Sequence, residues 1–298
     1  MGPLTSIEHG GIAVPLERIG VVGSGLMGSG IAEVSARAGF DVVVRSRSQA
    51  GADATLEAIA KSLGRSVDKG KLDPAERDVV MGRVRAVTDL DELAKCDLVS
   101  ESVVEDLDTK RTLFAELDRI CQPHTILATN TSTLPVIDLA MHTSRPSLVC
   151  GIHFFNPAPL MTLVEVVPAI TTSDETIDLA RAFVDRCGKT SVLVRDQAGF
   201  VVNALLFPYL NNAVRLFAAG VASRDDIDTA MKGGCNFPMG PLELLDLVGL
   251  DTSVSILDAL FAETNQASDA PAPLLRRMVT AGQLGRKSGV GFYDHTTR

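Results

Sequence analysis

One short segment constrains the fold of this chain more than any other, a glycine-rich turn with the sequence GSGLMG at residues 23–28. A short apolar run, RIGVV at 18–22, precedes the turn, and a helical pattern follows it as far as Gly39. A second apolar run, DVVVR at 41–45, comes next. Strand, glycine turn, helix and strand within about thirty residues predict a βαβ unit of a parallel sheet.

The alternation of apolar runs and helical patterns continues beyond this unit. Apolar runs predict further strands at 84–87, 97–101, 125–128, 147–152 and 162–167. Helical patterns lie between them at 49–70, 74–82 and 108–119. After Gly199 only helical patterns follow, at 199–219, 223–232, 241–248, 251–263 and 272–282. The chain is therefore predicted to be an α/β protein, with an N-terminal Rossmann-type doubly wound sheet followed by an all-helical C-terminal domain.

These patterns divide the chain into three segments. Residues 1–17 contain no Lys or Arg, unlike a targeting peptide, and are expected to form a loosely ordered extension. Residues 18–198 are predicted to form the dinucleotide-binding domain, and residues 199–298 a helical domain for substrate binding and dimerisation. The helical segment is apolar enough to predict a homodimer, and the stretch TNQASDAPAP at 264–273 is expected to be a flexible connection.

Composition excludes several classes of partner. The net charge of −9 argues against a nucleic-acid or anionic-membrane surface, so an anionic ligand needs a locally positive site. No apolar run reaches the roughly 18–20 residues that span a bilayer. The five cysteines are scattered without the paired spacing of a metal site, which is typical of reduced thiols in a cytoplasmic protein.

The glycine turn has the chemistry of a pyrophosphate site. Gly23 allows a tight turn, Gly25 lets the backbone approach a phosphate, and Gly28 permits close packing of helix on strand. The helix N-terminus then presents free N–H groups and the positive end of its dipole. The residues of the turn predicted to bind a dinucleotide are Gly23, Ser24, Gly25, Leu26, Met27 and Gly28.

The end of the second strand determines which dinucleotide binds. In NAD-binding units a carboxylate stands there, accepts hydrogen bonds from the ribose hydroxyls and repels a 2′-phosphate. Here Ser46 occupies that place, flanked by Arg45 and Arg47. An arginine beside a small hydroxyl favours a 2′-phosphate, so NADP(H) is predicted, with Ser46 and Arg47 as its main ligands. The alternative is that both arginines are surface charges and NAD is accepted as well.

Polar residues at strand ends are the candidates for catalysis. His153 follows an apolar run and stands beside aromatic residues and Asn156, whereas Glu165 interrupts the apolar strand TLVEVV. A buried carboxylate needs a partner to remain charged, and a lone buried histidine is more often structural than catalytic. A His153–Glu165 pair would satisfy the carboxylate and orient the imidazole as a general base. Asn130 to Thr133 form a third polar segment after a strand.

Six segments of the chain resemble 3-hydroxyacyl-CoA dehydrogenases, and in particular 3-hydroxybutyryl-CoA dehydrogenases. They are GSGLMGSGIAEVSARAG, NTSTLP, GIHFFNPAPLMTLVEVV, GFVVNALLFPYLNNAVRL, FPMGPLELLDLVGLD and GRKSGVGFY. They occur in order from residue 18 to residue 293 without large gaps. The resemblance implies hydride transfer between a nicotinamide cofactor and C3 of an acyl-CoA, and so a role in fatty acid metabolism.

The resemblance also implies the roles of individual residues. His153 is similar to the family's general acid/base, and Glu165 to the residue that orients it. Ser132 resembles the serine that binds the substrate 3-oxygen, and Asn203 the asparagine near the reacting carbonyl. Further positions contact the cofactor or support the site, namely Glu105, Lys110, Asn156 and Lys287. Ser62 and Lys69 match positions that touch the CoA part of the substrate.

The chain departs from the family at Ser46, where most members have an aspartate and use NAD. This departure concerns the cofactor and leaves the reaction intact, and an NADP(H) enzyme is expected to reduce the 3-oxoacyl thioester. Three alternatives stay open. The substrate could be a free small hydroxyacid, as in gulonate-type dehydrogenases, or a thioester on an acyl carrier protein. A protein that binds NADP(H) without turnover is the third.

Overall fold

The computed structural model describes residues 6–9 and 12–296. The chain divides into two compact units, Met1–Asp196 and Gln197–Arg298. Each unit contains its own cluster of buried apolar side chains. The first unit is built on strands and helices in alternation, and the second on helices, so the predicted fold class is confirmed.

The strands of the first unit include every predicted strand and add three. They are β1 (Ser6–His9), β2 (Ile12–Pro15), β3 (Arg18–Val22), β4 (Asp41–Arg45), β5 (Val84–Val87), β6 (Leu98–Glu101), β7 (Ile126–Thr129), β8 (Val149–Phe154), β9 (Leu163–Pro168) and β10 (Thr190–Leu193). The bounds of each predicted strand lie within two residues of those expected. The added strands are β1, β2 and β10.

Six helices connect these strands. They are α1 (Leu26–Arg37), α2 (Gln49–Asp68), α3 (Pro74–Gly82), α4 (Leu107–Ile120), α5 (Val136–Ala140) and α6 (Asp174–Arg186). Polar side chains begin the longer ones: Ser48 accepts the Gly51 N–H at the start of α2, and Asp106 accepts the Thr109 N–H at the start of α4. Such caps satisfy N–H groups that have no partner within the helix.

Eight strands form one sheet in the order β10-β9-β8-β7-β6-β3-β4-β5. From β5 to β8 all neighbours are parallel, whereas β9 runs antiparallel to β8. The strand order reverses direction between β3 and β6, which is the place where doubly wound sheets bind ligands outside the carboxyl ends of their strands. The sheet therefore predicts where the site lies.

Two regions differ from the sequence-based expectation. β1 and β2 pair antiparallel, from Ser6 with Pro15 to His9 with Ile12, where a loosely ordered extension was expected. The sequence contains a signal for this, because SIEH and IAVP flank a Gly-Gly dipeptide, a typical hairpin pattern. The rest of that expectation, at 1–5 and 10–11, lies outside the described residues. β10 is a short, mostly exposed edge strand, so it carries no apolar run to reveal it.

The second unit consists of five helices and one 3₁₀ turn in its described part. They are α7 (Val202–Ala218), α8 (Arg224–Cys235), α9 (Pro241–Val248), α10 (Leu250–Thr264), α11 (Pro273–Thr280) and the turn Arg286–Ser288. Fully buried leucines form its core, among them Leu210, Leu242, Leu245 and Leu257. Within the described residues, no helix combines the length and the apolarity needed to cross a membrane.

The segment between α10 and α11 is more tightly held than a flexible connection. The buried Asn211 side chain donates to the carbonyls of Ser268 and Ala270 and accepts the Ala272 N–H. Arg215 donates to the carbonyls of Ala267 and Ala270. The Pro- and Ser-containing sequence suggests mobility, but side chains of α7 bind its backbone.

Candidate active site

Two glycines of the turn are required by the protein's own backbone. Gly23 has φ +121°, and a Cβ there would lie 2.3 Å from the Ser102 carbonyl oxygen. A Cβ on Gly28 would lie 1.9 Å from the Gly23 carbonyl oxygen. Any side chain would therefore separate α1 from β3 or disrupt the turn.

Gly25 is different, because nothing in the described protein requires it to be a glycine. Its φ is −79°, which any residue can adopt, and no atom lies within 4 Å of the position a Cβ would take. Gly25 is the N-cap residue of α1, so the open space lies at the positive end of that helix. A ligand that approaches the backbone closely explains the glycine, and the site thus fits a dinucleotide pyrophosphate.

A cavity of about 800 Å³ opens at this turn. It lies at the carboxyl ends of β3, β4 and β6, which is the ligand-binding edge expected of the sheet. Three residues of the predicted turn, Gly23, Ser24 and Gly25, line it. Leu26 and Met27 do not: Leu26 lines a second cavity, and Met27 packs against the core.

Ser46 lies in this first cavity and is held firmly. Its side chain is buried, its Oγ lies 2.9 Å from that of Ser24, and its N–H donates to the Val87 carbonyl. Arg45 and the exposed Arg47 line the cavity beside it, with Arg45 Nε donating to the Thr88 carbonyl. The predicted phosphate ligands are therefore together at one cavity wall.

The same cavity also carries negative charge. Asp106, Asp108 and Glu116, from the start and middle of α4, are among its lining residues. The Thr109 hydroxyl and N–H both donate to Asp106, and these hydrogen bonds hold the pKa of its carboxyl below the usual value. The cavity is thus of mixed charge, with two arginines and three carboxylates among its lining residues.

His153 and Glu165 face each other across neighbouring strands. β8 and β9 are antiparallel, and His153 and Glu165 are direct partners in their register. His153 Nδ1 lies 2.8 Å from Glu165 Oε2, and both side chains are buried. Because a carboxylate can only accept here, Nδ1 carries the proton and Nε2 is the basic nitrogen of the neutral ring. The ring of Phe155 packs 4.6 Å from the imidazole, centroid to centroid.

Asn130 joins the Ser132 segment to the histidine strand. Its N–H donates to the Glu101 carbonyl, and its side-chain Oδ1 accepts the N–H of Phe154, the residue next to His153. Ser132 follows two residues later. The Asn130 side chain therefore joins the segment after β7, which carries Ser132, to β8 beside His153.

A second set of charged side chains lies behind this segment. Lys110 on α4 is fully buried, and its Nζ donates to both carboxylate oxygens of Glu101, at 2.8 and 2.9 Å. Glu101 also accepts from the Thr129 hydroxyl at 2.7 Å and from the Val103 N–H at 2.6 Å. Lys110 Nζ lies 3.1 Å from Glu105 as well, so one ammonium holds two carboxylates.

Glu105 connects this set to Ser132. Its Oε1 accepts the Ser132 N–H at 2.9 Å and the Thr131 hydroxyl at 2.5 Å. Burial raises the pKa of Glu105, but the Lys110 charge and the hydrogen bonds from Thr131 and Ser132 outweigh it, so the pKa lies below its usual value. Glu101 was missed by the sequence interpretation, although a carboxylate ending the apolar run DLVSE carries the same signal as Glu165.

The second cavity, of about 340 Å³, contains the residues predicted to touch CoA. Ser62 and Lys69 line it together with Asn156, which was predicted at the cofactor. Other basic residues of α2 and the following turn also line it, namely Lys61, Arg65 and Lys71. This is the locally positive site that an anionic ligand of an acidic protein needs.

Two predicted residues belong to the helical unit. Asn203 is buried in the first turn of α7, after Gly199 and Phe200, which both have positive φ. Lys287 Nζ lies 2.5 Å from a carboxylate oxygen of Asp251. Burial raises the pKa of Asp251, and the bond from Lys287 more than offsets it, so that pKa is lowered. Over 6–9 and 12–296, no three His, Cys, Asp or Glu side chains group as a metal site.

Known proteins match this chain over nearly its whole length. Residues 18–197 match the model of the 3-hydroxyacyl-CoA dehydrogenase NAD binding domain, and residues 199–295 match the C-terminal domain of the same family. A 3-hydroxybutyryl-CoA dehydrogenase of Mycobacterium tuberculosis is 48% identical over 282 residues, which is 94% of this chain and 99% of that protein.

Solved structures agree as well. The crystal structure of M. tuberculosis FadB2 superposes with a TM-score of 0.92 at 48% identity, covering 94% of this chain and 99% of the other. That of (S)-3-hydroxybutyryl-CoA dehydrogenase PaaH1 from Ralstonia eutropha also gives 0.92, at 39% identity, covering 95% and 100%. The resemblance inferred from the six sequence segments is confirmed.

Proposed function

The chain belongs to the 3-hydroxyacyl-CoA dehydrogenase family, and we propose that it transfers a hydride between NADP(H) and C3 of a 3-hydroxyacyl or 3-oxoacyl thioester of CoA. One observation carries the proposal: a buried histidine, hydrogen-bonded to a buried glutamate, stands at the end of β8 beside the Ser132 segment. The names of its relatives, which are 3-hydroxybutyryl-CoA dehydrogenases, support the substrate class.

His153 acts as the general acid and base. With Nδ1 bound to Glu165, Nε2 takes the proton of the C3 hydroxyl during oxidation and returns it during reduction. The Glu165 carboxylate holds the ring in one tautomer and stabilises the imidazolium that forms. When bound, the nicotinamide supplies or accepts the hydride at its C4.

Ser132 and Asn203 bind the oxygen on C3. Donors to an oxygen that gains charge in the transition state are each worth about 10²–10³ in rate. Ser132 is suited to this because its backbone is fixed by Glu105, which Lys110 holds in turn. Glu105 and Lys110 thus support the site. Lys287, in the helical unit, is proposed to contact the cofactor or to support the site.

The cofactor is NADP(H), held by the glycine turn and by Ser46 and Arg47. The small Ser46 side chain removes the negative charge that an aspartate would bring, and two arginines stand beside it. NAD is the second candidate, since Asp106, Asp108 and Glu116 lower the positive potential of the same cavity.

The CoA part of the substrate binds in the second cavity. Ser62 and Lys69 line it, and the neighbouring lysines and arginine match the phosphates of CoA. A carrier-protein thioester offers fewer phosphates to this cluster, so CoA is the favoured carrier. Asn156 lines the same cavity, and its proposed role is to contact the cofactor or to support the site.

The enzyme acts as a homodimer through its helical domain, residues 199–298. Large apolar side chains exposed on the helical unit support this proposal, since exposed apolar surface marks interaction sites; among them are Leu205, Leu216, Val221 and Phe237. A monomer at micromolar concentration in light scattering would exclude the dimer. A cytoplasmic location is proposed with it, and the five free cysteines support that location.

The deciding assay follows acetoacetyl-CoA reduction with NADPH and NADH in parallel. Turnover with a preference for NADPH is expected. A tenfold preference for NADH would contradict the proposed cofactor but leave the reaction class intact. Activity on a free hydroxyacid without any acyl-CoA turnover would favour the gulonate-type alternative, and NADPH binding without any turnover would favour a sensor.

A further inference from the structure

Glu33 on α1 is a buried carboxyl that the proposed chemistry does not use. Its side chain is only 2% exposed. Its Oε1 accepts no hydrogen bond from any described residue, 6–9 or 12–296. Arg37 Nη1, one helical turn later, lies 3.6 Å from that oxygen, close enough for charge attraction but too far for a hydrogen bond.

An unsatisfied buried carboxylate oxygen is unfavourable and uncommon in folded proteins. Burial raises the pKa of Glu33, which Ser62 and the Arg37 charge only partly oppose. An apolar residue on α1 would avoid this penalty. The Ser62 hydroxyl thus meets part of the hydrogen-bonding capacity of the carboxyl, while Oε1 has no donor among the described residues, which points to a donor that arrives with a ligand.

Glu33 lines the second cavity, where three kinds of side chain meet. The cations of α2 and the turn after it, such as Lys61 and Lys69, suit phosphate groups. Leu26 and Leu160, which are 69% and 73% exposed, suit an apolar chain. Glu33 suits neither, because a carboxylate repels phosphate and is poorly solvated by methylene groups. The part of the ligand next to it must be a neutral hydrogen-bond donor.

The position of this cavity relates it to the cofactor turn. Gly25 lines the first cavity, whereas Leu26 and Ser29, in the first turn of the same helix, line the second. Both cavities therefore adjoin the N-terminus of α1. A ligand that fills the second cavity passes Glu33 as well as the basic residues, because all of them line it.

We propose that the Glu33 carboxylate binds the pantetheine arm of the thioester by accepting a hydrogen bond from one of its amide N–H groups. This inference rests on the proposed function, in which a CoA thioester is the substrate. The pantetheine arm combines amide N–H donors with methylene groups and joins the phosphates to the thioester. Glu33 thus recognises the arm, and the lysines recognise the nucleotide end.

The test compares three acetoacetyl thioesters: that of CoA, that of pantetheine, and the amide-free S-ethyl thioester. In Glu33→Leu the ratio of kcat/KM for the pantetheine thioester to that for the S-ethyl thioester is expected to fall at least tenfold, because a hydrogen bond to a charged acceptor is lost. Lys69→Ala should instead lower the ratio of the CoA to the pantetheine thioester.

Two further variants keep the test decisive if Glu33→Leu folds poorly. Glu33→Gln preserves the shape and a neutral acceptor, so its ratio should fall by a smaller factor, about threefold, since neutral hydrogen bonds are roughly half as strong. Glu57→Leu makes the same change on the exposed face of α2, outside the cavity, and should leave both ratios unchanged. Equal losses on all three thioesters in Glu33→Gln would mean a structural role and overturn the inference.

Measuring the binding of coenzyme A by calorimetry distinguishes failure of the Glu33 inference from failure of the proposed reaction. If the wild type turns over thioesters but neither Glu33 variant changes the ratio, the inference fails and the proposed function stands. If no thioester is turned over but coenzyme A binds, and binds at least tenfold more weakly to Glu33→Leu, the inference stands and the reaction fails. Absence of both turnover and binding would overturn both.

Discussion

The first unit holds two groups of buried charged side chains, and they differ in the kind of side chain that pairs with the carboxylate. The Glu101 carboxylate receives four hydrogen bonds, two from Lys110 and one each from Thr129 and Val103. In the other group an imidazole takes the place of the ammonium, with His153 Nδ1 2.8 Å from Glu165 Oε2 on the facing strand. A buried ammonium and carboxylate hold each other in place by charge, whereas an imidazole beside a carboxylate is the pairing used in general acid–base chemistry. We therefore expect the first group to support the fold and the second to act in the proposed reaction.

The largest expected effect is a loss of activity on substitution of His153 or Glu165. His153→Ala should lower kcat by about 10²–10⁴, because the acid/base is lost while the fold is kept. Glu165→Gln should be nearly as inactive, and the double variant little worse than either, since the two act as one unit. Steady-state kinetics with circular dichroism checks this, with the exposed His142→Ala as control. A His153→Ala enzyme that retained most of its kcat would overturn the assignment.

A change in the group of Lys110 and Glu101 is instead expected to lower the stability of the protein. Lys110→Met leaves Glu101 buried without its counter-charge and should lower the free energy of unfolding by about 3–5 kcal/mol. Urea unfolding measures it. Arg119→Met, an exposed change on the same helix, should stay within about 0.5 kcal/mol of the wild type. A Lys110→Met protein as stable as the control would mean that the network is not a support.

A smaller change probes one bond of the same network. Thr129→Val keeps the shape but removes the hydroxyl that donates to Glu101 at 2.7 Å. Three hydrogen bonds to that carboxylate remain, two from Lys110 and one from the Val103 N–H, so a loss of about 1–3 kcal/mol in unfolding free energy is expected, with kcat changed much less than by His153→Ala. A loss of kcat without a loss of stability would remove the distinction between the two groups.

The smallest expected effect is a pH dependence of stability from Glu105. Its folded-state pKa lies below the usual value of 4.5, so its contribution is complete above that pH and is lost as the pH falls through the folded pKa. Urea unfolding of the wild type and of Glu105→Gln from pH 3 to 7 measures it. The variant should lose less stability on acidification, and parallel curves would contradict the assignment.

Much of this architecture was predictable, because it depends on patterns of residues that are close together in the sequence. The strands and helices follow from periodicity, and the glycine turn follows from its spacing between a strand and a helix. The partner of Glu165 could also be predicted, because a carboxylate in an apolar strand requires one. The same argument applied to Glu101 would have revealed a second buried pair, although not that Lys110 completes it.

The sequence by itself determined the order of the elements, the place of the glycine turn and the pairing of His153 with Glu165, because each depends on residues close in the chain or on a strong requirement of burial. Only the tertiary structure decided which side chains share a cavity. It placed Ser62, Lys69 and Asn156 in one wall with Glu33, and it joined Glu105 to Ser132, 27 residues away. Such contacts depend on strand register and helix packing, and neither leaves a periodic trace in the sequence.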